Sequence, residues 1–145
     1  MIRCSLCDHV NDDTPQEYVH CYNKIKNKTF SERMDIFKEF WIERDPTPGT
    51  PVNENMNEYY RRVRIANKQF KGLREGWLAD RGMVFILLGK PDEIEQHPFS
   101  DKQKPFEVWY YYKYAKRFVF IDKSGFGDYR LNNPEDLHRG FFLKN

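Results

Sequence analysis

One hundred and forty-five residues with a net charge of only +2 amount to one domain's worth of chain, too little for two independent enzyme-sized cores. Hydrophobic residues make up 39% and charged residues 32%, and the mean hydropathy of -0.87 looks too polar for a packed protein until twelve Phe, nine Tyr and three Trp are counted. Those rings supply burial in place of Leu and Val, and disorder, which needs few aromatics and a high net charge, is excluded. The near-neutral balance also removes any global electrostatic case for nucleic acid or anionic membrane, leaving only local patches.

No apolar run approaches the roughly 18 residues of a membrane-spanning helix, the longest being MVFILLG from Met83. The first residues, MIRCSLCDHVNDD, show no basic segment followed by an apolar core, so no secretory signal is expected in them. Cys4, Cys7 and Cys21 all lie near the start, an odd number that argues against a disulfide framework. With His9 and His20 nearby, a set such as Cys4, Cys7, His20 and Cys21 can supply thiolate and imidazole to a tetrahedral zinc. The spacing is not a standard one, and unpaired cysteines in a terminal segment are the competing reading, so no cofactor is expected and zinc is kept as the alternative.

In chain order, Thr14-Pro15-Gln16-Glu17 carries the signature of a helix start, and Tyr18, Cys21, Tyr22 and Ile25 follow at helical spacing up to Asn27-Lys28. Thr29 and Glu32 repeat the capping-box spacing, opening a second helix whose apolar residues are Phe30, Met34, Phe37 and Trp41. DPTPGTP, from Asp45 to Pro51, is a stiff connector. Met56, Tyr59, Val63, Ala66 and Phe70 define a third helix, closed before Gly72 or Gly76.

Beyond Gly76 the pattern reads as strands. Met83 to Leu88 is continuously apolar, which predicts a strand covered on both faces and ended by Gly89-Lys90-Pro91-Asp92. A polar loop to about Pro105 follows. Glu107 to Tyr114 predicts a second strand with aromatics on both faces, Arg117 to Asp122 a third joined by a turn at Ala115-Lys116, and Asp128 to Leu131 a fourth. The expected fold is α+β, with N-terminal helices packed on a mainly antiparallel sheet of about four strands. Its expected organisation is a single globular domain: residues 1–28 an extension with the first helix, 29–133 the body and 134–145 a tail.

Several ordered blocks, among them EFWIERDPTPGTPVNE from Glu39, EYYRRVRIAN from Glu58, GWLADRGMVFILLGKPDEIE from Gly76 and KPFEVWYYY from Lys104, resemble the GWxTD domain family. The resemblance runs from about Asp35 to Asn133. Gly76, Trp77 and Asp80 match the naming motif, whereas Ala79 stands where the pattern has threonine. It implies a bacterial protein in an envelope or periplasmic setting, and no established activity.

Two surfaces are candidate sites. Trp77, Asp80, Arg81 and Asp92 place acidic and basic groups beside a large aromatic, which can orient a small polar ligand; the competing account is that they fix the architecture. Trp109, Tyr110 and Tyr112 put rings on both faces of one strand, and a face left uncovered by helices suits a protein partner or neighbouring domain. No convergent nucleophile, base or phosphate loop is present. The segment KSGFGDY from Lys123 is similar to the glycine-aromatic strand of RNA recognition motifs, but Ser124 breaks its spacing, and the basic stripe from Arg61 to Arg74 reads as a solvated helix face, so nucleic acid is not expected. The expected function is a non-catalytic structural or protein-interaction domain, with a small-ligand binder or enzyme built on Trp77, Asp80, Arg81 and Asp92 as the alternative.

Overall fold

Thr29 begins the first fully described helix by the route its spacing predicts. In the computed structural model, which describes residues 2–3, 10–11 and 25–138, its hydroxyl accepts from the Glu32 amide while the Glu32 carboxylate accepts from the Thr29 amide at 2.7 Å. Helix α1 is Phe30–Ile42 and α2 is Glu54–Gln69. The chain divides between Tyr59 and Tyr60 into two compact units, described in turn.

In the first unit a two-residue ladder pairs β1 (Ile2–Arg3) antiparallel with β2 (Val10–Asn11). The helix expected from Thr14 lies almost wholly outside the described residues; Ile25 and Lys26 are helical, and the chain turns at Asn27 as expected. Trp41 is the buried residue of α1, its ring 5.1 Å from Phe40 and 5.5 Å from Tyr59. The connector is fixed by hydrogen bonds: the Thr47 amide donates to Asp45, and the Thr47 hydroxyl donates to Glu54. Asn53 then starts α2, its side chain accepting from the Met56 amide and donating to the Trp41 carbonyl.

The second unit is built on a four-stranded antiparallel sheet, β3 (Glu93–His97), β4 (Phe106–Tyr111), β5 (Lys116–Asp122) and β6 (Tyr129–Leu131), in sequential order. Helix α3 (Asp80–Leu88) and a short α4 (Glu135–His138) complete it. Ala66 of α2 and Val84, Phe85, Ile86 and Leu88 of α3 form one core with Trp109, Tyr111, Phe118 and Phe120 of the sheet. Arg62 of α2 donates to the Ile86 carbonyl at 3.1 Å, placing a cation at the negative end of α3. The α+β class with a four-stranded antiparallel sheet is therefore as the sequence predicts.

Three elements differ from expectation. Met83–Leu88 is helical, not a strand. A continuously apolar run of this length fits either state, and Gly89, at φ 83° with its amide bonded to the Phe85 carbonyl, with Pro91 two residues on, is a helix stop as much as a strand end. The segment read as a polar loop contains β3, an edge strand whose residues are nearly all exposed and therefore polar. The strand expected to reach Tyr114 ends at Tyr111, and Tyr112–Tyr114 tightens into a 3-10 turn closed by Ala115 at φ 48°.

Candidate functional site

The Gly76–Asp80 motif sits where three backbone segments crowd together. A Cβ on Gly76 would lie 2.0 Å from the Ala66 carbonyl oxygen, and one on Gly82 would lie 1.7 Å from the Gly76 carbonyl oxygen, so α2, the motif turn and α3 approach as closely as they do only because both residues are glycine. The Trp77 amide donates to the Asn67 side chain at 2.9 Å, while its side chain leaves the residue 47% exposed. Ala79 occupies the N-cap of α3 in extended conformation, with no side chain to cap it. The family pattern's threonine thus falls where a hydroxyl would accept from the first free amides of a helix.

The remaining motif residues are engaged separately. Asp80 accepts from the Leu131 amide at 2.8 Å and pairs with Arg130 at 3.4 Å, tying the start of α3 to β6. Arg81 turns to Glu107 at 3.3 Å, with its guanidinium 4.2 Å from the centre of the Tyr129 ring. Glu107, buried, also accepts from the Trp109 indole at 3.1 Å. Asp92 accepts from the Tyr112 amide at 2.8 Å, and its own amide donates to the Tyr110 carbonyl. Asp80 and Arg81 thus tie the start of α3 to β6 and β4, whereas Asp92 fixes the turn beside β4, each through its own partners.

Alternation along β4 separates the aromatic candidates. Trp109 is 1% exposed and lies in the core, 4.9 Å from the Phe120 ring and 5.5 Å from Phe70. Tyr111 joins it on that inner face, donating to the Gly89 carbonyl at 2.9 Å, and burial pushes its phenol well above the usual range. Tyr110 and Tyr112 stack with ring centres 6.2 Å apart, and Tyr112 is 62% exposed. The Tyr110 hydroxyl donates to Glu95 at 2.9 Å, and the Tyr112 hydroxyl donates to Glu93. Glu95 also meets the His97 ring at 2.9 Å. The Tyr110 bond first, then the His97 bond, hold the Glu95 carboxyl below its ordinary value, and the same Glu95 bond raises the Tyr110 phenol. His97 in turn stacks on Phe106 at 4.1 Å.

Glu93 and Glu95 stand out in the sequence as clustered carboxylates facing solvent and His97 as a lone loop histidine, but with a loop expected there the strand that sets them in a row was missed. The signal was present in Glu93, Glu95 and His97 alternating with Ile94 and Gln96, and the pairing Glu93↔Tyr110 and Glu95↔Val108 sets the carboxylates on the same face as half-buried Tyr110 and buried Val108. A second omission is Asp122, 3% exposed at the end of β5. One of its oxygens accepts from the Ser124 hydroxyl and the Gly125 amide, the other from the Gly127 amide, all within 2.8–2.9 Å. Burial pushes its carboxyl up, but the bonds from Gly127, Ser124 and Gly125 outweigh burial and hold it below the usual aspartate value. Ser124 is thus a loop-forming residue, its oxygen accepting from the Phe126 amide.

The zinc alternative at Cys4, Cys7, His20 and Cys21 lies outside the described residues, as does the side chain of His138. Among the described residues no cluster of three or more His, Cys, Asp or Glu is placed to hold a metal ion, and no helix is long and apolar enough to cross a membrane.

No curated protein and no solved structure matches the chain. The GWxTD domain model matches residues 14–142, reaching beyond the resembling blocks at both ends. With the glycine contacts of the motif in place and nearly the whole length matched, the chain belongs to the GWxTD domain family.

Proposed function

We propose that this domain is a non-catalytic protein-interaction module whose contact surface is the outer face of the sheet around Tyr110 and Tyr112. The observation that carries the reading is the way these rings are held. They are stacked on each other, and their hydroxyls are bonded to Glu95 and Glu93 on the exposed edge strand. Amphipathic rings fixed before binding lose little freedom on contact, which is the property that makes tyrosine effective in interfaces. Trp109 is not part of that surface, since it is spent in the core. The separate engagements of Asp80, Arg81 and Asp92 support an architectural role for them, because acid-base chemistry needs groups that converge on one reacting atom. The partner we envisage is a protein or neighbouring domain in a bacterial envelope setting, as the family resemblance implies.

The test is a photo-crosslinking amino acid placed at Tyr112, with a control at exposed Lys38. The expected result is one dominant protein adduct from the first position, diminished when Tyr110→Ala is added to a variant whose circular dichroism is unchanged. Equal labelling from both positions would sink the reading.

A further inference from the structure

One end of the sheet presents two phenylalanines that the core does not use. The β3–β4 loop and the β5–β6 loop emerge side by side there, because β4 and β5 are antiparallel neighbours. They are fastened to each other: Lys104 donates to the Lys123 carbonyl at 2.7 Å, and the Asp122 amide donates to the Pro105 carbonyl at 2.9 Å. Phe99 in the first loop is 71% exposed and Phe126 in the second is 87% exposed.

The Phe126 loop is built rather than loose. Buried Asp122 gathers the Ser124 hydroxyl and the Gly125 and Gly127 amides, and both glycines take positive φ, 77° and 85°. A Cβ at either glycine would meet nothing within 4 Å, so the loop stands in open space with Phe126 between them. The two loops carry exposed Lys102, Lys104 and Lys123 against exposed Asp101 and half-buried Asp128, and Asp128 pairs with Arg130 of β6.

We propose that this loop pair is an interfacial membrane contact, inserting Phe99 and Phe126 into the headgroup region of an anionic bilayer while the lysines meet lipid phosphates. Convex apolar tips fit a deformable medium, whereas a protein partner would need a preformed pocket for each ring. The lysine excess selects a negatively charged surface, with long aliphatic stems that let the ammonium groups stay at the phosphate level while the rings go deeper. The Asp122 cage orders the backbone that carries the exposed ring, and a tip whose backbone is ordered in advance loses less entropy on insertion.

Sedimentation of the full chain with vesicles of phosphatidylcholine alone, and of phosphatidylcholine mixed with phosphatidylglycerol, tests this. Wild type is expected to sediment with the anionic vesicles and to stay in the supernatant with the neutral ones, its binding weakening as salt rises. Phe126→Ser is expected to reduce binding about tenfold or more. Lys102→Gln and Lys123→Gln are expected to cost about fivefold each at low salt, with Lys104 kept because it joins the loops. Because the cage uses Asp122 and backbone amides, the ring can be changed without removing the loop's bonds. As a second readout, Phe126→Trp should shift its emission to the blue on adding anionic vesicles. Absence of binding to either vesicle, equal binding by wild type and a folded Phe99→Ser, Phe126→Ser variant, or a Phe126-dependent complex with an acidic protein in place of vesicles would each overturn the proposal.

Discussion

The two faces of strand β4 carry similar rings and use them in opposite ways. On the inner face Trp109 and Tyr111 are buried against Phe118 and Phe120, and each polar atom has a fixed partner, the indole on Glu107 and the phenol on the Gly89 carbonyl. On the outer face Tyr110, stacked with Tyr112 just beyond the strand's end, is steadied by Glu95, as Tyr112 is by Glu93, from an exposed edge strand. Neighbouring positions in one strand thus serve burial and display. What separates them is the covering layer: α2 and α3 supply the apolar residues that close the inner core. A count of aromatics cannot make that distinction, because the ring type is the same on both sides.

The strongest way to break this comparison is to truncate one ring from each face. Trp109→Ala is expected to cost about 3–5 kcal/mol, from lost burial plus the cavity and an abandoned Glu107 oxygen. Tyr110→Ala and Tyr112→Ala are each expected to cost less than about 1 kcal/mol, as surface changes that remove one exposed contact. Urea unfolding of the three variants measures it. A Tyr110→Ala loss as large as that of Trp109→Ala would mean that the outer face is also covered, and the interaction proposal would lose its surface.

Asp122 sharpens the comparison from the end of the inner face, where a buried polar group orders an exposed loop. Asp122→Ala leaves the Gly125 and Gly127 amides without their acceptor and is expected to cost about 2–3 kcal/mol at neutral pH. The native carboxyl is held below its unfolded value of about 3.9. Its contribution is therefore complete above that value and is lost as pH falls through the lower native value. Asp122→Asn should remove this part of the acid dependence, which a series of urea titrations below pH 5 would show.

How far these features could be read beforehand follows the same physical division. The capping box at Thr29, the prolines from Asp45 and the turn at Ala115 were legible because each depends on neighbours in sequence. Helix α3 was not: with Val84, Phe85, Ile86 and Leu88 all buried, the polar stripe that reveals helical period is missing. Strand β3 failed for the converse reason, as it buries too little to show an apolar alternation. Of the candidate site, the tyrosines were visible as residue types, but Glu93 and Glu95 acquire meaning only through the strand pairing. The Asp122 cage was hidden because its acceptor and donors read individually as ordinary turn residues.

Tyr111 provides a smaller probe of the inner face. Tyr111→Phe keeps the ring and removes the bond to the Gly89 carbonyl, for an expected loss of about 1 kcal/mol at neutral pH. Burial raises the native phenol above its unfolded value of about 10. The stability that comes with the protonated phenol is therefore whole below pH 10 or so and declines as pH rises toward the native value. The variant should lack that alkaline decline, and a persisting slope would assign it to other groups.

The smallest expected effect concerns the helix that covers the inner face. Ala79 already has the extended backbone of an N-cap, at φ -72° and ψ 145°, and Met83 donates the first helical bond back to its carbonyl. Ala79→Thr, which restores the family's residue, gives that position a hydroxyl able to accept from the amide of Arg81 or Gly82, for an expected gain of about 0.5–1 kcal/mol. Thermal melting would register it as a rise of a few degrees, with vesicle binding and crosslinking at Tyr112 unaltered because both surfaces lie elsewhere. A gain identifies the motif's hydroxyl as a cap that this chain has dispensed with. A neutral outcome instead frees that hydroxyl, in family members that keep it, to contact a ligand beside Asp80, the one observation that would return the motif from architecture to chemistry.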